Sequence, residues 1–238
     1  EQLEDLFLDP SVISYVMHQC DEDDEDFQDD VSNLYQAWGL SKLQEQSTTT
    51  TTSLSKRKTK RIFVPINDQY AQSRSAFAIP GGGSHWSLLL WEITIIRSVS
   101  ESESAKSEHG RTYTQSMGEA EILSGYFHFD SYKGYNSSAA KAVAKKLSKV
   151  LTCTQSSIVN PNVSVVECQT PQQNNGYDCG VFMLGFAEAL ALDDSGFGSQ
   201  IEYETALKTR FDAMGGQKRF ASGLRKSMAV VIRELASE

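Results

Sequence analysis

Residues 85–96, with the sequence HWSLLLWEITII, carry the strongest strand signal in the chain. Shorter apolar runs at residues 62–66, 125–130 and 163–167 also predict strands. Helical spacing of apolar residues precedes and follows these strands, which predicts an α+β fold with one sheet covered by helices. The predicted helices lie at residues 11–20, 31–44, 138–151, 179–192, 200–213 and 217–236.

We expect a single domain over residues 1–238, interrupted by three disordered insertions. Residues 21–30 are mostly acidic, residues 46–60 contain five consecutive threonines, and residues 97–124 are rich in Ser and Glu. Such segments lack the apolar side chains that pack a core. The basic cluster at residues 56–61 is interpreted as a solvated loop end, with a nuclear-localisation-like patch as the alternative.

The negative charge of the chain is concentrated in one segment. Eight acidic residues lie within residues 21–30, and without them the formal net charge of −9 falls to −1. A nearly neutral remainder argues against a nucleic-acid-binding protein, which needs a broad basic face. The longest nearly apolar run, residues 181–192, has 12 residues and is too short to span a bilayer, so we expect no membrane partner. We recognise no secretory signal at the start of the sequence.

The cysteine pattern indicates neither a zinc site nor a disulfide framework. The four cysteines are Cys20, Cys153, Cys168 and Cys179, and no two of them form a C-x-x-C pair. Free cysteines are typical of a reducing compartment, so we expect the protein in the cytosol or the nucleus.

Cys179 stands where a polar loop, QQNNGYD at residues 172–178, meets a predicted apolar helix. A thiol at a helix N-terminus lies at the positive end of the helix dipole, which favours the nucleophilic thiolate. Backbone N–H groups at the same place can bind an oxyanion. The alternative is a small buried side chain in the core, and these residues alone leave both interpretations open.

A thiolate nucleophile needs a base and a group that orients the base. His85 opens a predicted strand directly after three glycines, and Asp130 ends another strand. If these strands are antiparallel neighbours, the start of one lies beside the end of the other. The alternatives are a strand-end histidine and a turn-capping aspartate. His18, His109 and His128 are weaker candidates, since they lie on a predicted helix, in a polar segment and on the opposite strand face, respectively.

Three separated blocks carry a family resemblance. They are His85-Trp86, Asp130-Ser131, and the stretch from Pro171-Gln172-Gln173 to Asp178-Cys179-Gly180. In this order, with a glutamine six residues before the cysteine, they resemble the ubiquitin-like-protein-specific proteases, the Ulp and sentrin-specific protease family. The chain is most similar to the deneddylase branch, sentrin-specific protease type eight, through VPIND, GGSHWSLLL and FHFDSY at residues 64–68, 82–90 and 127–132.

The resemblance implies a papain-like cysteine protease fold, in which helices flank a central mixed or antiparallel sheet. It implies Cys179 as the nucleophile, His85 as the general base and acid, and Asp130 as the group that orients the imidazole. Gln173 would stabilise the oxyanion together with the backbone N–H of Cys179. No metal or organic cofactor is implied.

The resemblance also implies that Trp86 and Phe7 contact the substrate. In the family, this tryptophan covers the C-terminal Gly-Gly of the modifier, where only glycine, which has no Cβ, leaves room for a flat indole. Phe7 takes the position of an aromatic lid. The chain departs from the family beside it, since Asp9 replaces the usual asparagine and Pro10 replaces a usual acidic residue. For Trp86, the alternative is a packing role in the sheet core.

The resemblance therefore predicts a protease or isopeptidase that cleaves after the C-terminal Gly-Gly of a ubiquitin-like modifier, for precursor processing and deconjugation from lysine. A Nedd-type modifier is preferred, and SUMO is the alternative. The partners would be the modifier and its conjugates, such as cullins, and we expect a monomer. One rival is a non-catalytic modifier-binding domain, against which the intact catalytic residues argue. Another is a serine hydrolase using Ser84, which lacks the flanking glycine of a G-x-S-x-G elbow.

Overall fold

The computed structural model describes residues 2–18, 27–40, 57–71, 84–97, 120–154, 163–193 and 198–235. Within these residues, one mixed sheet has five strands in the order β1-β2-β3-β4-β5. The strands are β1 (Gln2–Phe7), β2 (Arg57–Asn67), β3 (Trp86–Arg97), β4 (Ala120–Phe129) and β5 (Val165–Glu167). The inner pairs β2–β3 and β3–β4 are antiparallel. The outer pairs β1–β2 and β4–β5 are parallel.

Six α-helices accompany the sheet in the described part of the chain. They are α1 (Pro10–His18), α2 (Phe27–Ala37), α3 (Ser137–Thr154), α4 (Cys179–Ala191), α5 (Gln200–Ala213) and α6 (Gln217–Leu235). A short 3₁₀ helix at Asp68–Ala71 follows β2. The predicted α+β fold is confirmed. Among the described residues, no helix combines the length and the apolar character needed to cross a membrane.

Helices cover both faces of the sheet, because β3 is apolar at successive positions and its side chains alternate between the faces. Leu89 and Trp91 pack into a core with side chains of α1, α2 and α3. Leu88 and Leu90 pack into a second core with Phe182 and other side chains of α4, α5 and α6. We call the two sides of the sheet the α3 face and the α4 face.

The first predicted insertion, at residues 21–30, is wrong for its last four residues, which belong to α2. Asp29 and Asp30 lie in the first turn of α2, where the helix dipole stabilises negative charge. The Tyr15 hydroxyl donates a hydrogen bond of 2.6 Å to Asp30 Oδ2. Residues 21–26 lie outside the described residues.

The predicted insertions at residues 46–60 and 97–124 are also wrong at their ends. β2 begins at Arg57, β3 ends at Arg97 and β4 begins at Ala120. The antiparallel ladder of β2 and β3 runs from the pair Arg57↔Ile96 to the pair Asn67↔Trp86. Backbone pairing between strands extends past the apolar positions that indicate a strand in the sequence. Residues 46–56 and 98–119 lie outside the described residues.

The described part of the basic cluster is not a loop end, because residues 57–61 lie in β2, where Arg61 is 0% exposed. Its guanidinium donates two hydrogen bonds to the Asp5 carboxylate, at 2.7 and 2.8 Å. It also donates to the carbonyl oxygens of Leu190 and Asp193, both at 2.8 Å, at the end of α4. Strand β1, which carries Asp5, is absent from the strands that the sequence predicts. Arg61 therefore ties β1 and β2 to the C-terminal end of α4.

We expect Arg61→Met to lower the free energy of unfolding by about 3 kcal/mol or more, because it leaves buried acceptors without donors. Urea denaturation followed by circular dichroism measures the change. Lys226→Ala, on the exposed side of α6, is the control and should change the free energy by less than about 0.5 kcal/mol. Unchanged stability of Arg61→Met would show that this ion pair does not hold α4.

Candidate active site

The antiparallel pairing of β3 and β4 brings His85 and Asp130 together. His85 directly precedes β3 and Asp130 directly follows β4, so the start of one strand lies beside the end of the other. His85 Nε2 and Asp130 Oδ1 are 2.6 Å apart. The two residues are only 5% and 4% exposed. This is the contact that the sequence predicts if the two strands are antiparallel neighbours.

Hydrogen bonds hold the Asp130 side chain as a carboxylate. Burial acts to raise the pKa of Asp130, but hydrogen bonds from His85 and from the backbone N–H groups of Tyr132 and Asn136 outweigh it and lower the pKa below its usual range. The two backbone bonds measure 2.9 and 3.1 Å. Because a carboxylate can only accept, His85 Nε2 carries the proton between the pair, which leaves Nδ1 to accept another proton.

Cys179 is the first residue of α4 and lies beside this pair. Its Sγ is 4.0 Å from the carbonyl oxygen of Ser84, the residue that precedes His85. Asp178 stands at the N-cap position without a side-chain cap hydrogen bond, so its carboxylate does not occupy the N–H groups of the first turn. Phe182, in the next turn, is buried in the core of the α4 face. The thiol therefore stands at the positive end of the helix dipole, as the sequence predicts.

The loop before Cys179 is braced from helix α6. The buried Asp178 carboxylate accepts a hydrogen bond of 2.7 Å from Asn175 Nδ2 and pairs with Arg225 of α6. The Arg225 guanidinium also lies 5.8 Å from the centre of the Tyr177 ring. Arg225 compensates the charge of Asp178 next to the thiol, and nothing in the local sequence indicates this contact.

Gln173 is oriented by its neighbour Ser131. The Ser131 hydroxyl donates a hydrogen bond of 2.7 Å to Gln173 Oε1, and the Gln173 backbone N–H donates one of 2.9 Å to the Ser131 carbonyl oxygen. Gln173 Nε2 donates to the carbonyl oxygen of Asn175 at 2.6 Å. An amide nitrogen carries two hydrogens, so this bond leaves one donor for another acceptor.

Asn136 supports the pair from behind, a role that sequence reasoning missed. Its position before α3 predicts a helix cap, yet its side-chain Nδ2 lies 3.3 Å from the carbonyl oxygens of Ile66 and His85 and 3.0 Å from Ser87 Oγ, so its two hydrogens are shared among three acceptors. Its backbone N–H donates to Asp130. Asn136 thus joins the end of β2 to the start of β3 through its side chain, and it contacts the orienting carboxylate through its backbone N–H.

His128 lies on the opposite strand face from its neighbours Phe127 and Phe129, as the sequence predicts. It is 0% exposed and has its own partners. Its Nε2 is 2.8 Å from Ser87 Oγ, and its Nδ1 is 2.7 Å from Glu167 Oε2. His128 therefore belongs to a buried polar chain behind the His85–Asp130 pair.

Trp86 and Phe7 both lie on the α4 face. Trp86 shares this face with alternate residues of β3, and Phe7 stacks on Phe63 with ring centres 4.5 Å apart. In the sheet register, Phe7 pairs with Phe63 and Trp86 pairs with Asn67. Phe63 and Asn67 are four residues apart on β2, which is about 13 Å along a strand. Phe7 is 56% exposed, which leaves most of its ring open to a ligand.

Within the described residues, no group of three or more His, Cys, Asp or Glu side chains is placed to hold a metal ion. The chemistry of this arrangement is that of a thiol beside an imidazole, a carboxylate and an amide donor. These groups are sufficient for nucleophilic attack on a carbonyl carbon and for stabilisation of the oxyanion that forms.

Comparisons with known proteins give a family match over most of the chain. The family described as "Ulp1 protease family, C-terminal catalytic domain" matches residues 11–221. The chain is 31% identical to NEDD8-specific protease 1 of Arabidopsis thaliana over 130 residues, which are 54% of this chain and 40% of that protein. It is 30% identical to sentrin-specific protease 8 of Homo sapiens over 129 residues, which are 54% of this chain and 42% of that protein.

The matched part spans less than half the length of these curated relatives. Among solved structures, the chain is similar to the C-terminal Ulp1 protease domain in complex with Smt3, the yeast ortholog of SUMO. That match covers 93% of this chain and 67% of the other, with 16% sequence identity and a TM-score of 0.38.

We expect iodoacetamide at neutral pH to alkylate Cys179 before Cys168. Burial and the nearby Glu204 and Glu167 raise the pKa of Cys168 to about 12, so almost none of it is thiolate at neutral pH. Cys179 has the helix dipole and His85 to support its thiolate. Mass spectrometry of tryptic peptides over time measures both rates, and His85→Ala should slow the reaction at Cys179 only. Faster alkylation of Cys168 would contradict the assignment of the nucleophile.

Proposed function

This chain belongs to the Ulp1 protease family, and we propose that it is a cysteine protease that cleaves after the C-terminal Gly-Gly of a ubiquitin-like modifier. The observation that carries the proposal is the buried His85–Asp130 pair, at 2.6 Å, beside the thiol at the start of α4. A non-catalytic binding domain would have no need of this pair. A serine hydrolase is disfavoured because the Ser84 hydroxyl donates its hydrogen bond to Asp68 Oδ2, at 2.9 Å, instead of to His85.

The reaction begins when His85 Nδ1 takes the proton of the Cys179 thiol. The thiolate attacks the carbonyl carbon of the modifier's last glycine, and the oxyanion accepts hydrogen bonds from Gln173 Nε2 and the Cys179 backbone N–H. His85 then gives its proton to the leaving amine as the carbon–nitrogen bond breaks, which leaves a thioester. A water molecule, deprotonated by His85, hydrolyses the thioester and releases the modifier with a free carboxylate. No step requires a cofactor.

Trp86 and Phe7 bind the extended C-terminal tail of the modifier on the α4 face. Their separation of about 13 Å along the sheet corresponds to roughly four residues of an extended chain. Trp86 adjoins His85 in sequence, so it lies against the final Gly-Gly, while Phe7 lies against an earlier part of the tail. A residue with a Cβ next to the indole would clash, which makes glycine the residue accepted there.

The modifier is of the Nedd type, with SUMO as the alternative. The support is that relatives of 31% and 30% identity are named NEDD8-specific protease 1 and sentrin-specific protease 8. The substrates are the modifier precursor and lysine conjugates such as modified cullins, and the protein acts as a monomer in the cytosol or the nucleus. The free thiols of Cys168 and Cys179 fit such a reducing compartment.

Electrophilic probes test this proposal directly. Nedd-type modifier, SUMO and ubiquitin, each ending in a C-terminal propargylamide, are incubated with the protein and the adducts are mapped by mass spectrometry. We expect the Nedd-type probe to label Cys179 fastest and Cys179→Ala to form no adduct. The same variant should still bind the modifier but lose turnover by about 10⁴-fold or more. If the Cys179→Ala variant is labelled as fast as the unchanged protein, or if the probe labels another cysteine, Cys179 is not the nucleophile.

Substitutions of Gln173 and Ser131 test the oxyanion donor separately. We expect Gln173→Ala to lower kcat by roughly 10²–10³ with little change in KM, because the donor acts mainly on the transition state. Ser131→Ala keeps the donor but removes the bond that orients it, so its loss of kcat should be smaller. Steady-state cleavage of a modifier fusion measures both. A loss that appears only in KM would mean that Gln173 binds substrate and does not stabilise the oxyanion.

A further inference from the structure

An open cavity of about 460 Å³ adjoins the imidazole of His85. Its lining consists of Ser84, His85, Tyr132, Tyr135 and residues 173–176. Neither Trp86 nor Cys179 is part of this lining. The cavity therefore lies beside the base and the oxyanion donor Gln173, and Trp86, which we assign to the modifier tail, is not in its lining.

Two exposed tyrosines form the wall of the cavity next to the base. Tyr132 is 57% exposed and Tyr135 is 52% exposed. The Tyr135 ring centre is 5.0 Å from that of His85, the Tyr132 ring centre is 6.0 Å from it, and the two tyrosine rings are 5.8 Å apart. All three pairs meet edge to face, so the rings surround the imidazole without stacking flat on it.

The turn that carries these rings is held in place. The Tyr132 backbone N–H donates to Asp130 at 2.9 Å, and the Tyr135 backbone N–H donates to the Tyr132 carbonyl oxygen at 3.1 Å. Between them, Gly134 has a φ of 80°, a backbone conformation that residues with a side chain rarely adopt. The Lys133 backbone N–H donates to Gln172 Oε1 at 2.9 Å. The rings are thus positioned by the same carboxylate that orients His85.

The position of the cavity relative to the reaction identifies its occupant. His85 must give its proton to the leaving amine, so that amine lies against the imidazole. The modifier tail lies on the α4 face with Trp86, which does not line the cavity, whereas His85 and the oxyanion donor Gln173 both line it. We therefore place the chain beyond the scissile bond in this cavity, against Tyr132 and Tyr135.

We propose that Tyr132 and Tyr135 form a leaving-group subsite for the unbranched side chain of the acceptor lysine. This inference rests on the proposed function. A lysine joined through its side-chain nitrogen presents four methylene groups directly after the scissile bond, and aromatic rings remove such groups from water. A peptide joined through its α-amine presents a branched Cα at once and has no such stem.

The charges near the cavity also favour lysine as the leaving group. The new lysine ammonium is attracted by the faces of aromatic rings. Ser84, which lines the cavity, donates hydrogen bonds from its backbone N–H and its hydroxyl to the Asp68 carboxylate, both at 2.9 Å. A fixed negative charge beside the cavity suits a basic acceptor.

The test compares two substrates and one probe. The Nedd-type modifier is joined either to the side-chain nitrogen of a lysine peptide or to the α-amine of a peptide that begins with alanine, whose Cα is branched, and kcat/KM is measured for each. The third measurement is the labelling rate of the propargylamide probe, which has no leaving-group chain. The variants are Tyr132→Ala with Tyr135→Ala, and the conservative Tyr135→Phe. Lys133→Ala, in the same turn but outside the cavity lining, is the control.

We expect the double alanine variant to lose about tenfold in kcat/KM on the lysine-linked substrate, with little change on the α-linked substrate or in probe labelling. Tyr135→Phe and Lys133→Ala should behave like the unchanged protein. Equal losses on both substrates with slower labelling would show that the rings only support His85, and no loss would show that they do not bind the lysine. Either result overturns the subsite while the proposed function stands. If the unchanged protein neither reacts with the probe nor cleaves, the proposed function fails and the subsite with it.

Discussion

The buried carboxylate of Asp130 is the interaction on which the rest of the site depends. It accepts hydrogen bonds from the His85 side chain and from the backbone N–H groups of Tyr132 and Asn136. A carboxylate has lone pairs for several donors, and each donor that it receives favours its ionised form. One charge therefore orients the base, fixes the aromatic turn and anchors the start of α3. Because these three features share one acceptor, they keep a constant geometry relative to each other.

The helix that carries the thiol is fixed at both of its ends by arginines from distant parts of the chain. Arg225 pairs with Asp178 before the first turn of α4. Arg61 donates to the carbonyl oxygens of Leu190, in the last turn, and of Asp193, just after it, where a positive charge also complements the helix dipole. Both contacts resist a shift of α4 along its axis, which would move the thiol relative to His85. A displacement of about 1 Å in such a site can reduce the rate by on the order of 10²-fold.

The two halves of the proposed substrate have separate binding surfaces that adjoin the catalytic residues. The α4 face carries Trp86 and the exposed ring of Phe7, which suits an extended tail. The cavity next to His85 carries Tyr132 and Tyr135, which suits a flexible amine. The scissile bond then lies at the end of the sheet, where β3 begins and β4 ends. Two separate surfaces allow selection of the modifier and selection of the acceptor to change independently.

Elements whose signal lies within one segment of the chain can be predicted from local sequence patterns. Apolar spacing predicted α4, α5 and α6 nearly to the residue, because the periodicity of a buried helix face is written along one segment. The order of the blocks around His85, Asp130, Gln173 and Cys179 indicated the family and the candidate catalytic groups. The folded structure was needed to identify β1, the long ends of β2 and β4, and the burial of Arg61. The strands that pair with these segments, and the charged partner of Arg61, lie far away in the chain. The length of a strand depends on how far its neighbour pairs with it. The folded structure was also needed to show that Asn136 joins two strands to Asp130 and that Tyr132 and Tyr135 surround His85, because only strand pairing brings together residues about fifty positions apart.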